Sequence, residues 1–322
     1  MKKAVFSLAF AALVATNISR ADVPDVAVDI APVHSLVAQV MGALGEPKLV
    51  ISPGYSPHGY SLRPSEARAL QDAEIVFWVS SGLTPWLADA IETLAPEALN
   101  VEMLETSGTH ELLLRESALF EAHAHDEHGD EHGDEHGDEH GDEQGDEHGD
   151  EHGGHDPHAW LDPSNASVWL DAIAEELSKV DPDNSGTYLA NAESGKAQLE
   201  QLRTDVEEIL APVRGRNFIV FHDAYHYFES AFEFPASGAI ALSDASEPSP
   251  ARIQQIHDRV SEASVTCVLA EPQFNPNLVA TVLDGTEARS GTIDPLGSHI
   301  ETGPVLYSTL LRDLAQTLAD CV

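Results

Sequence analysis

Residues 26–41 read VAVDIAPVHSLVAQVM, a short β-branched run that passes directly into a helical pattern. Val and Ile suit a pleated strand, whereas the apolar residues after His34 return at three- and four-residue spacing. The same alternation repeats outward, with strands expected over 48–52 and 75–79 and helices over 64–71 and 86–93. A strand that returns through a helix to a neighbour running the same way builds a parallel sheet covered by helices. The fold class read from this pattern is α/β.

Further along, residues 164–180 carry Ala166, Leu170, Ile173, Leu177 and Val180 on one helical face. Asp181-Pro182 then offers an N-cap and a first-turn proline for another helix running to Gly215. Its apolar stripe is Leu189, Ala192, Leu199, Leu202, Val206, Ile209 and Leu210. A helix of that length, standing between two α/β regions, reads as a rigid connector. Beyond it a second unit follows, with strands over 217–221, 239–242, 266–269 and 289–293. Its helices are expected over 224–231, 250–262, 277–284 and 304–321. The expected organisation is a signal peptide at 1–21, a first lobe at 22–180 that includes a loop at 122–155, a linking helix at 181–215 and a second lobe at 216–322.

The signal peptide is read from Lys2 and Lys3, an apolar run from Ala4 to Ala15, and the small residues Ser19 and Ala21 before the cleavage point. That run is too short to span a bilayer, and no Cys at the cleavage point marks a lipid anchor. A cleaved signal places the mature chain in an oxidising compartment, most simply a bacterial periplasm. There Cys267 and Cys321 are expected to pair, and no C-x-x-C redox motif is present. Sixteen Lys and Arg oppose 55 Asp and Glu, for a formal charge of −39. A field of that sign repels nucleic acid and anionic lipid and draws cations.

Residues 126–151 read DEHGDEHGDEHGDEHGDEQGDEHGDE, in which carboxylate and imidazole recur with no apolar residue to fold around. Such a set suits borderline divalent ions such as zinc. Gly at every turn costs about 1 kcal/mol each in a helix, so disorder is expected. The imidazoles of His123, His125, His128, His132, His136, His140, His148, His152 and His155 form a flexible secondary metal store. Elsewhere, His58, His158 and His222 stand in loops or at strand ends, where an open α/β sheet builds its sites, and Asp294 ends a later strand. Three imidazoles and a carboxylate suit a tetrahedral zinc shell. The ordinary reading of each histidine is a polar loop residue, and spacing alone leaves the quartet open.

The strings SPHGYSLRPSEARALQDAEIVFWVSSGL, DPHAWLDPSNA, FIVFHDAYHYFESAF, CVLAEPQFNP and GTIDPLG, taken in order, resemble the periplasmic zinc-binding proteins of bacterial ABC importers. These belong to the cluster of substrate-binding proteins that carries zinc and manganese. The resemblance runs over the mature chain and includes an acidic His-rich insert before the second ligand. It implies two α/β lobes joined by one long backbone helix, with a single ion in the cleft between them. It implies His58, His158, His222 and Asp294 as ligands, and His222 stands where manganese binders of the family carry Glu, which favours zinc. Zinc-binding relatives can place a Glu before the first His; here that residue is Pro57. The fourth donor is then Asp294 or water. The cysteine pair likewise matches the disulfide of enterobacterial zinc binders.

The resemblance implies a carrier, not an enzyme: a protein expected as a monomer that hands Zn2+ to an ABC transporter membrane permease and exchanges it with other periplasmic zinc carriers. Three other functions compete. His222 to His226 spells H-D-A-Y-H, near the H-E-x-x-H of zinc proteases, but Asp reaches less far than Glu and His222 is expected at a strand end instead of within a helix. A manganese or iron importer component and a periplasmic metal buffer resting on the repeat alone are the remaining alternatives.

Overall fold

The computed structural model describes residues 23–115, 117, 119–120, 154–242 and 248–322. The expected signal peptide and the repeat histidines from His123 to His152 lie outside these residues. His155 lies within them.

The first sheet holds β1 (Val26–Val28), β2 (Lys48–Leu49), β3 (Ile75–Trp78) and β4 (Leu99–Glu102), all parallel, in the order β2-β1-β3-β4. The central strands β1 and β3 are buried at every residue, as a parallel sheet covered on both faces requires. The expected strand at 48–52 spans only Lys48–Leu49, but Val50 and Ile51 still donate to the carbonyls of Val28 and Asp29 at 2.8 and 2.9 Å. The edge strand β4 was not expected. Its sequence, LNVE, is exposed or half-exposed throughout, so it carries no apolar run to announce it.

Crossovers run through α1 (Ala31–Met41), α2 (Pro64–Asp72) and α3 (Pro85–Leu94). Proline in the first turn of all three presets φ where no intrahelical donor is needed. Helix α1 stops at Gly42, whose φ of 54° suits glycine and where a Cβ would meet Nδ2 of Asn191 at 2.8 Å.

The second sheet repeats the plan: β5 (Phe218–His222), β6 (Ala239–Ala241), β7 (Cys267–Ala270) and β8 (Arg289–Thr292), parallel, in the order β6-β5-β7-β8. Along β5 the faces alternate with the pleat. Phe218 and Val220 join the large core shared with the first lobe, while Ile219 and Phe221 join a smaller core on the other side. That smaller core is closed by Ile256 and Val260 of α7 (Pro250–Glu262) and Val279 and Val282 of α8 (Pro276–Leu283).

Between the sheets run α4 (Pro163–Val180) and α5 (Ser185–Leu210), the latter flanked by 3-10 turns at Pro182–Asn184 and Ala211–Val213. At 1.5 Å per residue α5 is about 39 Å long. Its buried stripe is Tyr188, Ala192, Gly195, Leu199, Leu202, Val206 and Leu210. Tyr188 takes the place expected of Leu189, which is exposed. The stripe packs on α4, α1 and the last helix, α9 (Leu306–Cys321). Helix α9 thereby touches both lobes, with Tyr307 donating its backbone N–H to Ser35 of α1 at 3.0 Å. Arg312 reaches Asp205 of α5 through Nε and Nη2 at 3.0 and 2.7 Å. The far end of α9 is stapled to β7 by the Cys267–Cys321 disulfide, Cα to Cα 5.5 Å.

Candidate metal site

Each sheet winds outward in two directions from its central pair, β1/β3 in the first and β5/β7 in the second. Ligand crevices of open α/β sheets form beyond the carboxyl ends of such pairs. His222 is the last residue of β5, one residue earlier than a position after the strand, and Glu271 directly follows β7. His58 comes from the loop after β2. His158 stands at the 3-10 turn Ala159–Leu161 that precedes α4.

These elements bring three of the four expected ligands to one cavity. His58, His158 and His222 line it together with Glu271, Trp160 and Phe274. Its free volume, ≈ 20 Å³, is about room for one water. A bare ion fits such a space, and the same three histidines also face a wider cleft lined by Ser80, Glu102 and Leu114. His158 and His222 are 6% and 5% exposed, so water has little access to their rings.

Ring centres of His58 and His158 are 5.7 Å apart, and those of His158 and His222 5.4 Å. Two imidazoles on one tetrahedral zinc, at about 2.0 Å per metal–nitrogen bond, have centres roughly 5 Å apart. The imidazoles therefore stand near ligating separation without forming a closed shell. Among the described residues, no three His, Cys, Asp or Glu side chains already have the arrangement of a metal shell.

Two of the rings are held from behind. Nδ1 of His158 lies 2.7 Å from Oδ1 of Asp156, and Nδ1 of His222 lies 2.6 Å from Oε1 of Glu271. The same oxygens also accept the backbone N–H of His158 at 3.0 Å and of His222 at 3.4 Å. A carboxylate only accepts, so Nδ1 of each ring carries a proton, and in the neutral ring the lone pair is on Nε2. Neither Asp156 nor Glu271 was singled out from the sequence. The available signal was modest: a carboxylate two residues before His158 within DPH, and one at the end of a strand in LAEPQ.

Asp294 is placed differently. Its carboxylate caps its own turn, accepting from the N–H groups of Leu296 and Ser298 at 3.0 and 2.7 Å and from the Ser298 hydroxyl at 2.6 Å. Gln273 donates a fourth bond at 3.1 Å. Pro295 and Leu296 of that turn line the histidine cavity. Asp294 itself faces a neighbouring depression with His299 and Asp313. Ligation by Asp294 would require it to leave part of this bonding.

The other described histidines make local contacts. His34 is buried with Nε2 3.0 Å from the Pro47 carbonyl, His257 meets the Asp284 carbonyl at 3.0 Å, and His299 meets Asp313 at 3.1 Å. His110 exchanges backbone bonds with the Asn165 amide at 2.7 and 2.9 Å. His155, from the end of the repeat region, pairs with Glu111. His226 opens α6 (His226–Phe232) beside Asp156, and burial lowers its pKa to about 4. It does not share a helix with His222, so the two-histidine helical face of a zinc protease is not formed.

The family model for the periplasmic zinc-uptake complex component A, ZnuA, matches residues 26–321. The high-affinity zinc uptake system protein ZnuA of Paracoccus denitrificans (strain Pd 1222) is 46% identical over 313 residues, covering 94% of this chain and 93% of the relative. Its counterpart in Brucella abortus (strain 2308) is 45% identical over 304 residues, covering 92% and 91%. A crystal structure of ZnuA superposes with a TM-score of 0.73 at 24% identity, covering 93% of this chain and 99% of that one. With the family model running through both lobes, this chain belongs to the ZnuA family, the periplasmic component A of zinc-uptake complexes.

Proposed function

We propose that this chain captures Zn2+ in the cavity between its two sheets and delivers it to the membrane permease of an ABC importer. The reading rests above all on two buried imidazoles, each held at Nδ1 by a carboxylate, turned toward an ion-sized space that a third imidazole shares. Nitrogen donors favour zinc over manganese, which prefers carboxylate and carbonyl oxygen. His58, His158 and His222 supply three donors, and Asp294 or a water completes the shell.

Capture needs neutral imidazoles, so affinity falls with acid, and binding releases the water and protons that the ligands held. No step of this scheme breaks a covalent bond, so the chain acts as a carrier. The signal peptide at 1–21 directs it to the periplasm. The lobes at 22–180 and 216–322, joined by 181–215, act as monomeric jaws on one ion, and the repeat histidines hold further ions loosely. Among the described residues no helix is long and apolar enough to cross a membrane.

The deciding experiment titrates zinc against a calibrated chelator in mature protein lacking residues 122–154, with His222→Ala in parallel. One tight site that disappears in the mutant is expected. Weak binding, indifferent to the mutation, would move the metal site to the repeat and leave the lobes as scaffold.

A further inference from the structure

Asp156 and Glu271 come from opposite sides of the cavity, one from the segment before α4 and one from the end of β7, yet make the same contact. Each places a single carboxylate oxygen on both the backbone N–H and Nδ1 of one histidine. Both residues are themselves buried. Asp156 is 1% exposed, its N–H donates to the Leu112 carbonyl at 2.8 Å and its own carbonyl accepts the Tyr227 hydroxyl at 3.0 Å. Glu271 is 4% exposed at the end of a central strand.

We infer that Asp156 and Glu271 are positioning residues that fix Nε2 of His158 and of His222 as the zinc donor atoms, an inference that rests on the proposed zinc-binding role. An imidazole free to turn about its side-chain bonds can present either nitrogen, and each choice puts the metal in a different place. A carboxylate at Nδ1 removes that choice before the ion arrives. It also raises the donor strength of Nε2, because negative charge behind the ring stabilises the positive charge that builds on it when the metal binds. The pair supplies two negative charges close to a divalent ion in a cavity walled by Trp160 and Phe274, where unbalanced charge is costly. Removal of such outer partners weakens metal sites by about 10–100-fold.

The test uses full-length protein and zinc alone. Ring nitrogens of zinc-loaded protein are read by 15N NMR, with the two signals assigned by their loss in His158→Gln and His222→Gln. The tightest affinity is measured by chelator competition in wild type, Glu271→Gln, Glu271→Ala and Asp156→Asn. Wild type is expected to show both rings protonated at Nδ1 and ligated at Nε2. Glu271→Ala should weaken the tight site about 10–100-fold and blur the His222 signature. Glu271→Gln, whose amide oxygen still accepts from Nδ1, should keep that signature and recover part of the affinity.

Zinc on Nδ1 of either ring in wild type overturns the inference whether or not the variants fold. So does a folded Glu271→Ala protein that binds within twofold of wild type. If His222→Gln leaves the tight site intact, the zinc-site reading itself fails and the inference falls with it. If His222→Gln removes the site while both carboxylate variants bind normally, the inference alone fails.

Discussion

The hydroxyl of Tyr227 donates to the backbone carbonyl of Asp156 at 3.0 Å and, at the same time, accepts the N–H of Leu112 at 2.9 Å. One side chain of α6 thus holds both flanks of the repeat segment. The flanks are also laced to each other, Leu114 N–H to the Gly154 carbonyl at 2.9 Å and Asp156 N–H to the Leu112 carbonyl at 2.8 Å. Whatever the repeat does, its returning end reaches His158 through a fixed anchor.

Tyr227→Phe should therefore loosen the metal site as well as the fold. It leaves a buried carbonyl and a half-buried N–H without their partner, at a cost of about 1–3 kcal/mol. Denaturant melts of zinc-free protein should show that loss, and chelator competition should show weaker zinc binding through Asp156. Unchanged values in both would mean the flanks hold their places without the clamp.

Arg115 is a second tie between the repeat flank and the second lobe. Its side chain is 15% exposed and meets Asp223 at 3.4 Å and Glu229 at 2.9 Å, which are 4% and 5% exposed. Burial raises the Glu229 pKa, and the guanidinium works against that rise. Arg115→Met should cost about 3–5 kcal/mol, since it strands two buried carboxylates. A urea midpoint within experimental error of wild type would show that the pair contributes nothing net.

The central strands β1, β3, β5 and β7 were legible because burial on both faces forces unbroken apolar runs. The edge strand Leu99–Glu102 was not, because its residues are exposed or partly exposed and form no apolar run. Tyr188 displaced Leu189 from the α5 stripe because the phase of a long helix is set by what packs on it, here α4 and α1. The histidines could be named from strings of sequence. Glu271 could not, since its role exists only through a contact with His222 across 49 residues. Where Asp294 points also depends on a turn whose donors, Leu296 and Ser298, look unremarkable in sequence.

Asp29 occupies the switch point of the first sheet, accepting the N–H groups of Ile30 at 2.7 Å and Val79 at 2.8 Å. Burial is the main cause that lifts its pKa from 3.8 to about 7, against those two bonds. Between these values the folded protein binds more protons at Asp29 than the unfolded chain does, so this group's contribution to stability declines as pH rises and is fully lost above about pH 7. Asp29→Asn cannot ionise and should remove that slope. Comparing urea stability at pH 4.5 and 8, the wild-type minus variant difference should fall by a few kcal/mol, on the order of 1.4 kcal/mol for each pH unit crossed below the folded-state pKa. Parallel curves would mean Asp29 titrates normally.

Reduction of Cys267–Cys321 frees a 54-residue separation in the unfolded chain. In the chain-entropy account that is worth about 4 kcal/mol. Because α9 carries Cys321 and also holds α1 and α5, a double Cys→Ala variant should lose stability across both lobes together. Hydrogen exchange should then accelerate in α1 as well as in β7. Faster exchange confined to the second lobe would mean that α9 stays docked on α5 without the staple.

His226 offers the sharpest separation between a carrier and a hydrolase. It lies one turn past His222 in sequence, but it starts α6 while His222 ends β5, and it does not line the three-histidine cavity. Its Nδ1 lies 3.8 Å from Oδ2 of Asp156 and is buried without a hydrogen-bond partner. An imidazole placed that way is expected to contribute packing and no metal bond. His226→Ala should keep the tight zinc site within a few-fold of wild type while His222→Ala abolishes it. A protease-type centre would lose its metal equally in both, because two histidines a helical turn apart would then hold one ion. Equal loss in the two variants, in protein that still melts cooperatively, would therefore require His222 and His226 to converge on the metal and would exclude the cavity geometry described for His58, His158 and His222.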